Sequence, residues 1–378
     1  GGFFGDVLAN LLEYQGYNIE REYYVNDTGN QIITLGKSLA ATQGFIPDEE
    51  KLYKGEYIKK WAAAHKVITK QYKDTPLLLG QKAAKDFLKA TKKVIAQKAK
   101  IKFDRYTSEE AHIHKKSFIT KTLAIFKKEG MVYEREGATW LKTTAHGDDK
   151  DRVLITRDGF PTYFLADAGH YLETKTRGFT KKILILGPDH YGYVHRIQAA
   201  ARIIGIQEPE VIVTQAVRLM QGGTEVKMSK RSGMFVTLEE LLNEISPDVV
   251  RFFFLMHSPE THMDFNIDLA KEHSVKNPVY YMQYAAVRAA SIIKKSKIKN
   301  QKSKLNLGLL NTEADIDLIS VLVRFPEIIS EATEKYNPQL LARYALDCAR
   351  EFNNFYEKER IIGEEKNIMA ARLALVHA

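Results

Sequence analysis

The sequence predicts an α/β protein in which a parallel-sheet domain with a helical insertion is followed by an all-α helical bundle. Residues 182–186 form a short, continuous apolar run closed by Gly187, which is typical of a fully buried parallel strand. A helical pattern over 193–204 and a β-branched run at 211–213 complete a strand–helix–strand unit. These observations indicate a Rossmann-like, doubly wound sheet.

The remainder of the chain has helical periodicity from about Thr237 to Ala378. Pro247 and Pro278 lie at predicted helix starts, where proline is tolerated. We place the domain boundary near Ile245, so that the α/β domain covers 1–245 and the helical domain covers 246–378. The lysine-rich stretch 294–304 is interpreted as a loop between helices.

The chain opens inside a predicted helix. One face of this helix is apolar and is formed by Phe4, Val7, Leu8, Leu11 and Leu12. Gly16 stands where the C-cap of such a helix belongs. Because the fold begins in the middle of an element and the first residue is not Met, we expect the chain to be a fragment.

The next segments alternate between strand and helix signals. Residues 17–25 have strand composition, and 26–29 form a turn. Residues 30–105 are mostly helical and lysine-rich, and about 45–105 is interpreted as an insertion. Most of these lysines are expected to form a solvated face, with a share available to a polyanion. Thr107 and Glu110 fit a capping box that opens a helix ending near Gly130.

The centre of the chain contains further short elements. Strand-like runs at 138–143 and 153–156 are followed by a turn at 157–159. A helix is predicted over about 165–175. If the residues from Pro161 onward are helical, Tyr163 and Asp167 share one face of it.

Composition limits the class of protein. Lys and Arg total 56 against 47 Asp and Glu, a net charge of +9, which agrees with an anionic partner or with a solvated basic surface. No stretch reaches the roughly 18 consecutive apolar residues of a membrane span, and no signal peptide opens the chain. The single cysteine, Cys348, excludes a disulfide framework or a cysteine metal cluster. A cytoplasmic location is therefore expected.

The strongest chemical signal is Lys227-Met228-Ser229-Lys230, on a loop preceded by Gly222-Gly223. Two ammonium groups and a hydroxyl on such a loop can close over a triphosphate. They would stabilise charge on departing pyrophosphate by about 3–4 kcal/mol per well-placed group. The alternative is a basic surface turn.

Two other sets of residues are candidates for ligand contacts. Gly187 and Asp189 follow the buried strand, and ligands of doubly wound sheets bind beyond the carboxyl ends of strands. A plain strand-to-helix turn would look the same. Asp167 could hold a cationic group with Tyr163 beside it, although an exposed helical Asp beside a packed Tyr is the default. The histidines form no recognisable zinc pattern, so no metal site is predicted.

The Lys-Met-Ser-Lys tetrapeptide is the signature of class I aminoacyl-tRNA synthetases. With it in place, nearly the whole chain resembles arginyl-tRNA synthetases. The segments that carry the resemblance are 4–8, 22–31, 53–58, Phe103-Asp104 with Ser108-Glu109, 147–152, 158–163, 251–256 and 277–285. Several matches of this length in family order are more specific than any single motif.

The resemblance implies a reaction and its residues. ATP and L-arginine would form arginyl-adenylate, and the arginyl group would pass to the 3′ end of tRNA(Arg). Glu109, Tyr163, Asp167 and His190 would hold the arginine. The ATP residues would be Gly187, Asp189, Lys227, Met228 and Lys230, and Lys227, Ser229 and Lys230 would be catalytic. Mg²⁺ would accompany ATP, and no bound zinc is expected.

The helical domain resembles the family's anticodon-binding domain. The side chains that would contact tRNA are Tyr280, Tyr281, Gln283, Tyr284 and Arg288. Aromatic rings stack on unpaired bases at about 1–3 kcal/mol per base, but the same tyrosines could instead pack the bundle. A monomer without a membrane partner is expected.

The chain also departs from the family pattern. By the resemblance, the other class I signature, a His-x-Gly-His element, and the N-terminal domain would precede Gly1, and a final helix would follow Ala378. None of these is in the sequence. We therefore expect this chain to be inactive by itself while its parent is an enzyme. The alternatives are another class I synthetase, or a synthetase-like tRNA-binding protein that has lost catalysis.

Overall fold

The computed structural model describes residues 1–226, 236–296 and 306–378. These residues form two compact units. The first contains Gly1, 20–216 and 236–239, and the second contains 2–19, 217–226 and 240–378. The domain boundary near Ile245 stays a prediction, because order along the chain and compactness in space are different criteria.

The first unit is mixed α/β. Its helices are α2 (Gly29–Thr42), α3 (Glu56–Ala64), α4 (Lys66–Tyr72), α5 (Pro76–Lys93), α6 (Phe118–Lys128), α7 (Tyr163–Thr176) and α8 (Val194–Ile204). Its strands are β1 (Glu22–Val25), β2 (Arg105–Ser108), β3 (Val132–Arg135), β4 (Ala138–Leu141), β5 (Arg152–Ile155), β6 (Ile183–Leu186) and β7 (Glu210–Val213). Short π and 3-10 turns are Val94–Lys98, Glu109–His114, Thr143–His146 and Pro188–Tyr193.

The second unit is mainly helical. Its elements are α1 (Gly2–Tyr14), β8 (Val217–Gln221), β9 (Thr224–Glu225), α10 (Pro247–Leu255), β10 (Met263–Asn266), α11 (Ile267–Lys271), α12 (Pro278–Ser296), α13 (Glu313–Leu322), α14 (Phe325–Glu334), α15 (Gln339–Lys358) and α16 (Lys366–His377). A 3-10 turn covers Leu307–Leu309, and α9 (Leu238–Glu244) connects the two units along the chain. None of the helices in the described part of the chain is long and apolar enough to cross a bilayer.

The sheet pairing of the first unit confirms the predicted α/β class. β1 pairs in parallel with β2, and β6 pairs in parallel with β7. α8 connects β6 to β7, as the strand–helix–strand pattern predicted. β3, β4 and β5 form a separate antiparallel sheet.

The prediction that 182–186 is a fully buried strand is wrong in its burial. All four residues of β6 are only partly buried. Among the described strands β6 pairs with β7 alone, so one of its edges has no described strand beside it. An apolar run reports the preference of its side chains for burial and not the number of neighbours that the strand has.

The predicted capping box at Thr107 is also wrong. Thr107 lies in β2, and its hydroxyl donates to the Glu22 carboxylate instead of capping a helix. Ser108 is the N-cap, and its hydroxyl accepts a hydrogen bond of 2.9 Å from the Ala111 N–H. The element that it opens is a π turn, with α6 following separately and ending before Gly130.

The insertion packs together with α2 to form a small helical subcore. α2 and α5 approach each other at two glycines. A Cβ added to Gly36 would lie 1.8 Å from the Pro76 carbonyl oxygen, and one added to Gly80 would lie 2.0 Å from that of Ile32. The buried side chains packed here include Leu35, Leu39, Ile58, Trp61 and Leu79. The lysines therefore remain on the outside of a packed helical layer.

α7 lies at the centre of the first unit's core. Its buried residues Phe164, Leu165, Ala168, Tyr171 and Leu172 pack in one cluster with side chains of α6, α8, β4 and β5. A helix that is buried along most of its length holds the direction of each side chain closely, which matters for the site described below.

The second unit departs from the all-helical prediction. β10 pairs in parallel with β8, which is joined to β9 in a hairpin through Gly222 and Gly223. Both glycines have positive φ, as a tight hairpin turn requires. Pro247 and Pro278 begin α10 and α12, as predicted. The prediction of a loop at 294–304 largely concerns residues outside the described part, and α12 includes Lys294 and Lys295.

Candidate active site and nucleic-acid interface

The candidate site of the first unit is organised by the start of the turn that carries Glu109. Asp27, just after β1, accepts hydrogen bonds from the Ser108 hydroxyl at 2.5 Å and from the Glu110 N–H at 3.0 Å. Ser108 in turn caps the turn through Ala111. Because β1 and β2 run in parallel and in register, both ends arrive at the same edge of the sheet. Glu109 is thereby fixed between two anchored neighbours.

Asp167 is presented by the first turns of α7. The Thr162 hydroxyl caps this helix by accepting from the Leu165 N–H. The Asp167 Oδ2 accepts a hydrogen bond of 2.7 Å from the Tyr193 hydroxyl. Burial raises the pKa of Asp167 to about 6, and the negative charge of Glu109 also raises it. The structure therefore brings the two predicted carboxylates together.

Glu109 is buried, with 4% of its surface exposed. Its Oε1 lies 3.2 Å from His114 Nε2, and this hydrogen bond raises the pKa of His114. His114 is thus the hydrogen-bond partner of one Glu109 oxygen, and this contact favours the protonated imidazole.

Tyr24 of β1 lies beside both carboxylates. Its hydroxyl oxygen is fully buried and accepts no hydrogen bond from the described residues. Burial raises its pKa, and so do the charges of Glu109 and Asp167 and a hydrogen bond to Glu109, so the phenol stays protonated. The ring packs against His170 at an angle of 33°, with 4.6 Å between ring centroids. Strand β1 therefore supplies a neutral hydroxyl, with lone pairs that accept no hydrogen bond, to a cluster of acids.

The other two residues predicted to hold arginine lie at the rim of this cluster. Tyr163, one turn before Asp167, is 53% exposed, and a Cβ on Gly29 would lie 3.6 Å from its hydroxyl. His190 is exposed, lies 6.1 Å from the Tyr193 ring, and its charge acts on Asp167 to lower the pKa of that carboxyl. Both residues therefore lie near Asp167, Tyr163 through its position on α7 and His190 through its contact with Tyr193.

The residues predicted to bind ATP are only partly described. Gly187 directly follows β6. A Cβ added there would meet nothing within 4 Å, so a ligand could approach the backbone closely. Asp189 is exposed in the 3-10 turn that follows. Lys227, Met228, Ser229 and Lys230 lie outside the described residues.

A buried ionic network lies behind Asp167 on α7. Glu22 Oε1 is 2.7 Å from His170 Nε2, and Lys182 donates to His170 Nδ1 at 3.1 Å. Burial and then Lys182 lower the pKa of His170 to about 4, and burial lowers that of Lys182 to about 8. Arg177 pairs with Glu22 and Glu173, at 2.9 Å to each.

Three groups of this network, Glu22, His170 and Glu173, have ligand atoms close enough to hold a metal ion, all within 4.8 Å of one another. However, both carboxylates are already paired with Arg177, and Arg105 also binds Glu173 at 2.8 Å. A divalent cation would have to displace these cations. The network is therefore interpreted as a structural support for α7.

The residues predicted to contact tRNA lie on α12 and form a partly exposed aromatic ladder with neighbouring helices. The rings of Tyr280 and Tyr284 are parallel, 6.4 Å apart, and Tyr284 is 42% exposed. The Arg288 guanidinium lies 4.2 Å from the centre of the Tyr284 ring and 4.7 Å from that of Tyr356.

The other predicted tRNA residues have mixed environments. Arg288 donates to Asn353 Oδ1 at 2.9 Å, which fixes the guanidinium between α12 and α15. Gln283 is exposed and Tyr281 is half-buried. Flat rings and a guanidinium plane at the surface suit the stacking of unpaired bases.

The sequence did not identify Asp27, Tyr193, Tyr24 or His114 as parts of the site. The local sequence predicted only a turn at 26–29, whereas the Asp27 carboxylate accepts a hydrogen bond from Ser108, 81 residues later. Tyr193 and Tyr24 carry no local signal, because their contacts depend on how distant strands and helices meet.

Comparisons with known proteins agree with this arrangement. A family model described as tRNA synthetases class I (R), catalytic domain, matches residues 2–252, and a DALR anticodon binding domain matches 282–378. This chain is 39% identical over its whole length to an arginine–tRNA ligase of Shouchella clausii and spans 70% of that protein. It is 38% identical over its whole length to one of Carboxydothermus hydrogenoformans and spans 71% of it.

Solved structures give the same result. A crystal structure of an arginyl-tRNA synthetase from Campylobacter jejuni superposes with a TM-score of 0.88 at 33% identity, covering all of this chain and 85% of that one. The Thermus thermophilus arginyl-tRNA synthetase, at 18% identity and a TM-score of 0.73 over all of this chain and 75% of that one, supports the fold alone.

Proposed function

Because this chain belongs to the arginyl-tRNA synthetases, we propose that its paired carboxylates, Glu109 and Asp167, bind the guanidinium of the substrate L-arginine. The observation that carries this proposal is that two largely buried acids lie close enough for the charge of Glu109 to raise the pKa of Asp167. Burial and this like charge both disfavour ionisation of Asp167. A substrate guanidinium offers a compensating charge.

The chemistry of the pair favours arginine over lysine. A guanidinium presents five N–H donors in a planar fork, whereas an ammonium is a point charge with three donors. Two carboxylates can each accept two parallel hydrogen bonds from a guanidinium. Tyr163 and His190 would close the exposed side of the substrate, since both lie at the rim of the acids.

The enzyme is a ligase that activates its amino acid with ATP. In our proposal the arginine carboxylate attacks the α-phosphate of ATP in line, which gives arginyl-adenylate and pyrophosphate. Gly187 and Asp189 would contact the nucleotide at the end of β6. Lys227, Ser229 and Lys230, with the backbone at Met228, would neutralise the phosphates of an ATP–Mg²⁺ complex. The reaction depends on positioning and charge, with no covalent enzyme intermediate.

The second substrate is tRNA(Arg), whose 3′ end would receive the arginyl group. We assign its anticodon region to the exposed ladder of Tyr280, Tyr284 and Arg288, with Tyr281 and Gln283 on the same helix. The net charge of +9 favours binding of a polyanion. A cytoplasmic monomer is the proposed state, as translation takes place in that compartment.

Pyrophosphate exchange tests the reaction. The protein with its complete chain would be assayed with each of the twenty amino acids, with and without tRNA. Exchange that depends on arginine alone is expected, and exchange with another amino acid would overturn the substrate assignment. Lys230→Ala should strongly reduce adenylate formation and leave tRNA affinity nearly unchanged. A parallel loss of both would show that the loop has a different role.

A further inference from the structure

The guanidinium site described above contains one acceptor fewer than its ligand has donors. A guanidinium carries five N–H groups, and two carboxylates in parallel pairing accept four of them. In a water-excluded site, a donor without a partner costs about 1–3 kcal/mol. The buried surroundings of Glu109 and Asp167 therefore require a fifth acceptor.

Tyr24 is the group that fits this requirement. Its hydroxyl oxygen is fully buried and accepts no hydrogen bond from the described residues. Burial, the charges of Glu109 and Asp167 and a hydrogen bond to Glu109 raise its pKa. The register of β1 places Tyr24 opposite Thr107, two residues before Glu109. A buried oxygen that accepts no hydrogen bond is a free acceptor for a ligand N–H. The ring is held from behind by His170, itself fixed by Glu22 and Lys182. The position of the hydroxyl is thus supported by an ordered network.

We propose that Tyr24 forms the floor of the guanidinium site and determines specificity by accepting the fifth N–H through its phenol oxygen. This inference rests on the proposed arginine site. The phenol can donate its own hydrogen to a neighbouring carboxylate while its lone pairs accept from the ligand.

The test is a single-atom deletion with a matched control. Tyr24→Phe removes the hydroxyl and keeps the ring on His170. Tyr23→Phe makes the same change at the adjacent strand position, where the ring packs on Phe103 and Tyr106 instead. Binding of L-arginine and of ATP would be measured by calorimetry, together with thermal unfolding, on wild type and both variants.

Tyr24→Phe should weaken arginine binding about tenfold, the effect of about 1.4 kcal/mol. ATP affinity should be unchanged, and the melting temperature should change little, because the ring stays against His170 and only the hydroxyl is removed. Tyr23→Phe should bind arginine as wild type does. A purely structural role for Tyr24 would lower the melting temperature and affect both ligands.

The outcomes separate this inference from the proposed function. Wild-type affinity for arginine in Tyr24→Phe overturns the role of Tyr24 and leaves the carboxylate pair in place. A wild-type protein that does not bind arginine overturns the carboxylate site and the role of Tyr24 with it.

Discussion

Single side chains set the electrostatics of the candidate site. The carboxyl of Asp167 is buried beside another acid, and its pKa is raised to about 6. The hydrogen bond from Tyr193 and the charges of Lys182 and His190 lower the pKa but do not cancel the effect of burial. Ionisation of Asp167, which pairing with a guanidinium requires, is therefore unfavourable in the unliganded protein.

This shift predicts a pH dependence of arginine binding. As pH falls through about 6, Asp167 becomes protonated and its attraction for the ligand is lost. The hydrogen bond with Glu109 raises the pKa of His114, so a falling pH also favours the imidazolium that competes with the ligand for that carboxylate. Affinity should fall about tenfold between pH 7 and pH 5, by calorimetry. A flat profile would contradict the assignment of Asp167, and Asp167→Asn, tested in parallel, should have a shallower profile than wild type.

The same shift predicts a gain in stability. A carboxyl whose pKa is higher in the folded state than in the unfolded state contributes stability below its ordinary pKa. That contribution is lost as pH rises through the folded value of about 6. Asp167→Asn should therefore increase the free energy of unfolding at pH 7.5, by at most about 3 kcal/mol, with about half that gain at pH 5.

Thermal or urea unfolding of the unliganded variant at both pH values provides the measurement. Asp189→Asn, which alters an exposed acid close in sequence, is the control and should have little effect. A variant of Asp167 that is less stable than wild type at pH 7.5 would show that the carboxylate is satisfied in the unliganded fold.

At the scale of elements, the turn that carries Glu109 begins where the ends of β1 and β2 lie side by side. β1 and β2 lie side by side although 79 residues separate Val25 from Arg105, since Glu22 pairs with Arg105 and Val25 with Ser108. This pairing extends β2 through Thr107 and shifts the cap to Ser108. A local capping pattern could not reveal it, because the strand partner lies far away in sequence.

Removing the anchor of this turn should affect both stability and binding. Asp27→Ala deletes the acceptor for Ser108 and for the Glu110 N–H. The loss of hydrogen bonds to a charged acceptor costs about 1.5–3 kcal/mol each, and Glu109 loses its fixed position. Arginine affinity should fall several-fold with lowered thermal stability. Ser246→Ala, which removes the cap of α10, should reduce stability without changing arginine affinity. Equal effects of the two variants on arginine binding would refute the positioning role of Asp27.

The aromatic ladder on α12 gives a second prediction at this scale. Tyr284→Ala should reduce affinity for tRNA(Arg) roughly five- to a hundredfold, since stacking is worth about 1–3 kcal/mol per base. Arginine binding should be unaffected. Tyr14→Ala, at an exposed ring on α1, is a control for the loss of a surface tyrosine. Filter binding or fluorescence titration would measure both, and unchanged tRNA affinity in Tyr284→Ala would mean that the ring only packs against Arg288.

For the whole molecule, periodicity and family motifs predicted much of the architecture. α1, α7 and α8 lie within about two residues of their predicted bounds because each has a strong apolar face or a clear cap. β10 was missed, since its partner β8 lies about 40 residues earlier and no local pattern marks it. The partial burial of β6 could not be predicted either, because a strand's neighbours are decided by the fold and not by its own residues.

The site shows the same division. Family motifs predicted Glu109, Tyr163, Asp167 and His190. In the structure the charges of Glu109 and His190 act on Asp167, and Tyr163 lies one turn before Asp167 on α7. The contacts of the Tyr24 and Tyr193 hydroxyls could not be predicted, because the strands and helices that form them are far apart in sequence. Residue identity thus predicted the charges of the site, whereas the acceptors and donors around them depend on the tertiary contacts.

Binding of L-arginine compared with L-citrulline tests the central claim most directly, since the two differ mainly in the charge and one donor group of the side chain. The account predicts that wild type binds arginine more tightly by at least roughly 2 kcal/mol, about thirtyfold, because an unpaired buried charge is costly. Glu109→Gln and Asp167→Asn should each reduce this ratio strongly. Equal binding of the two ligands by wild type, or a ratio unchanged in both variants, would contradict a carboxylate pair that recognises a guanidinium.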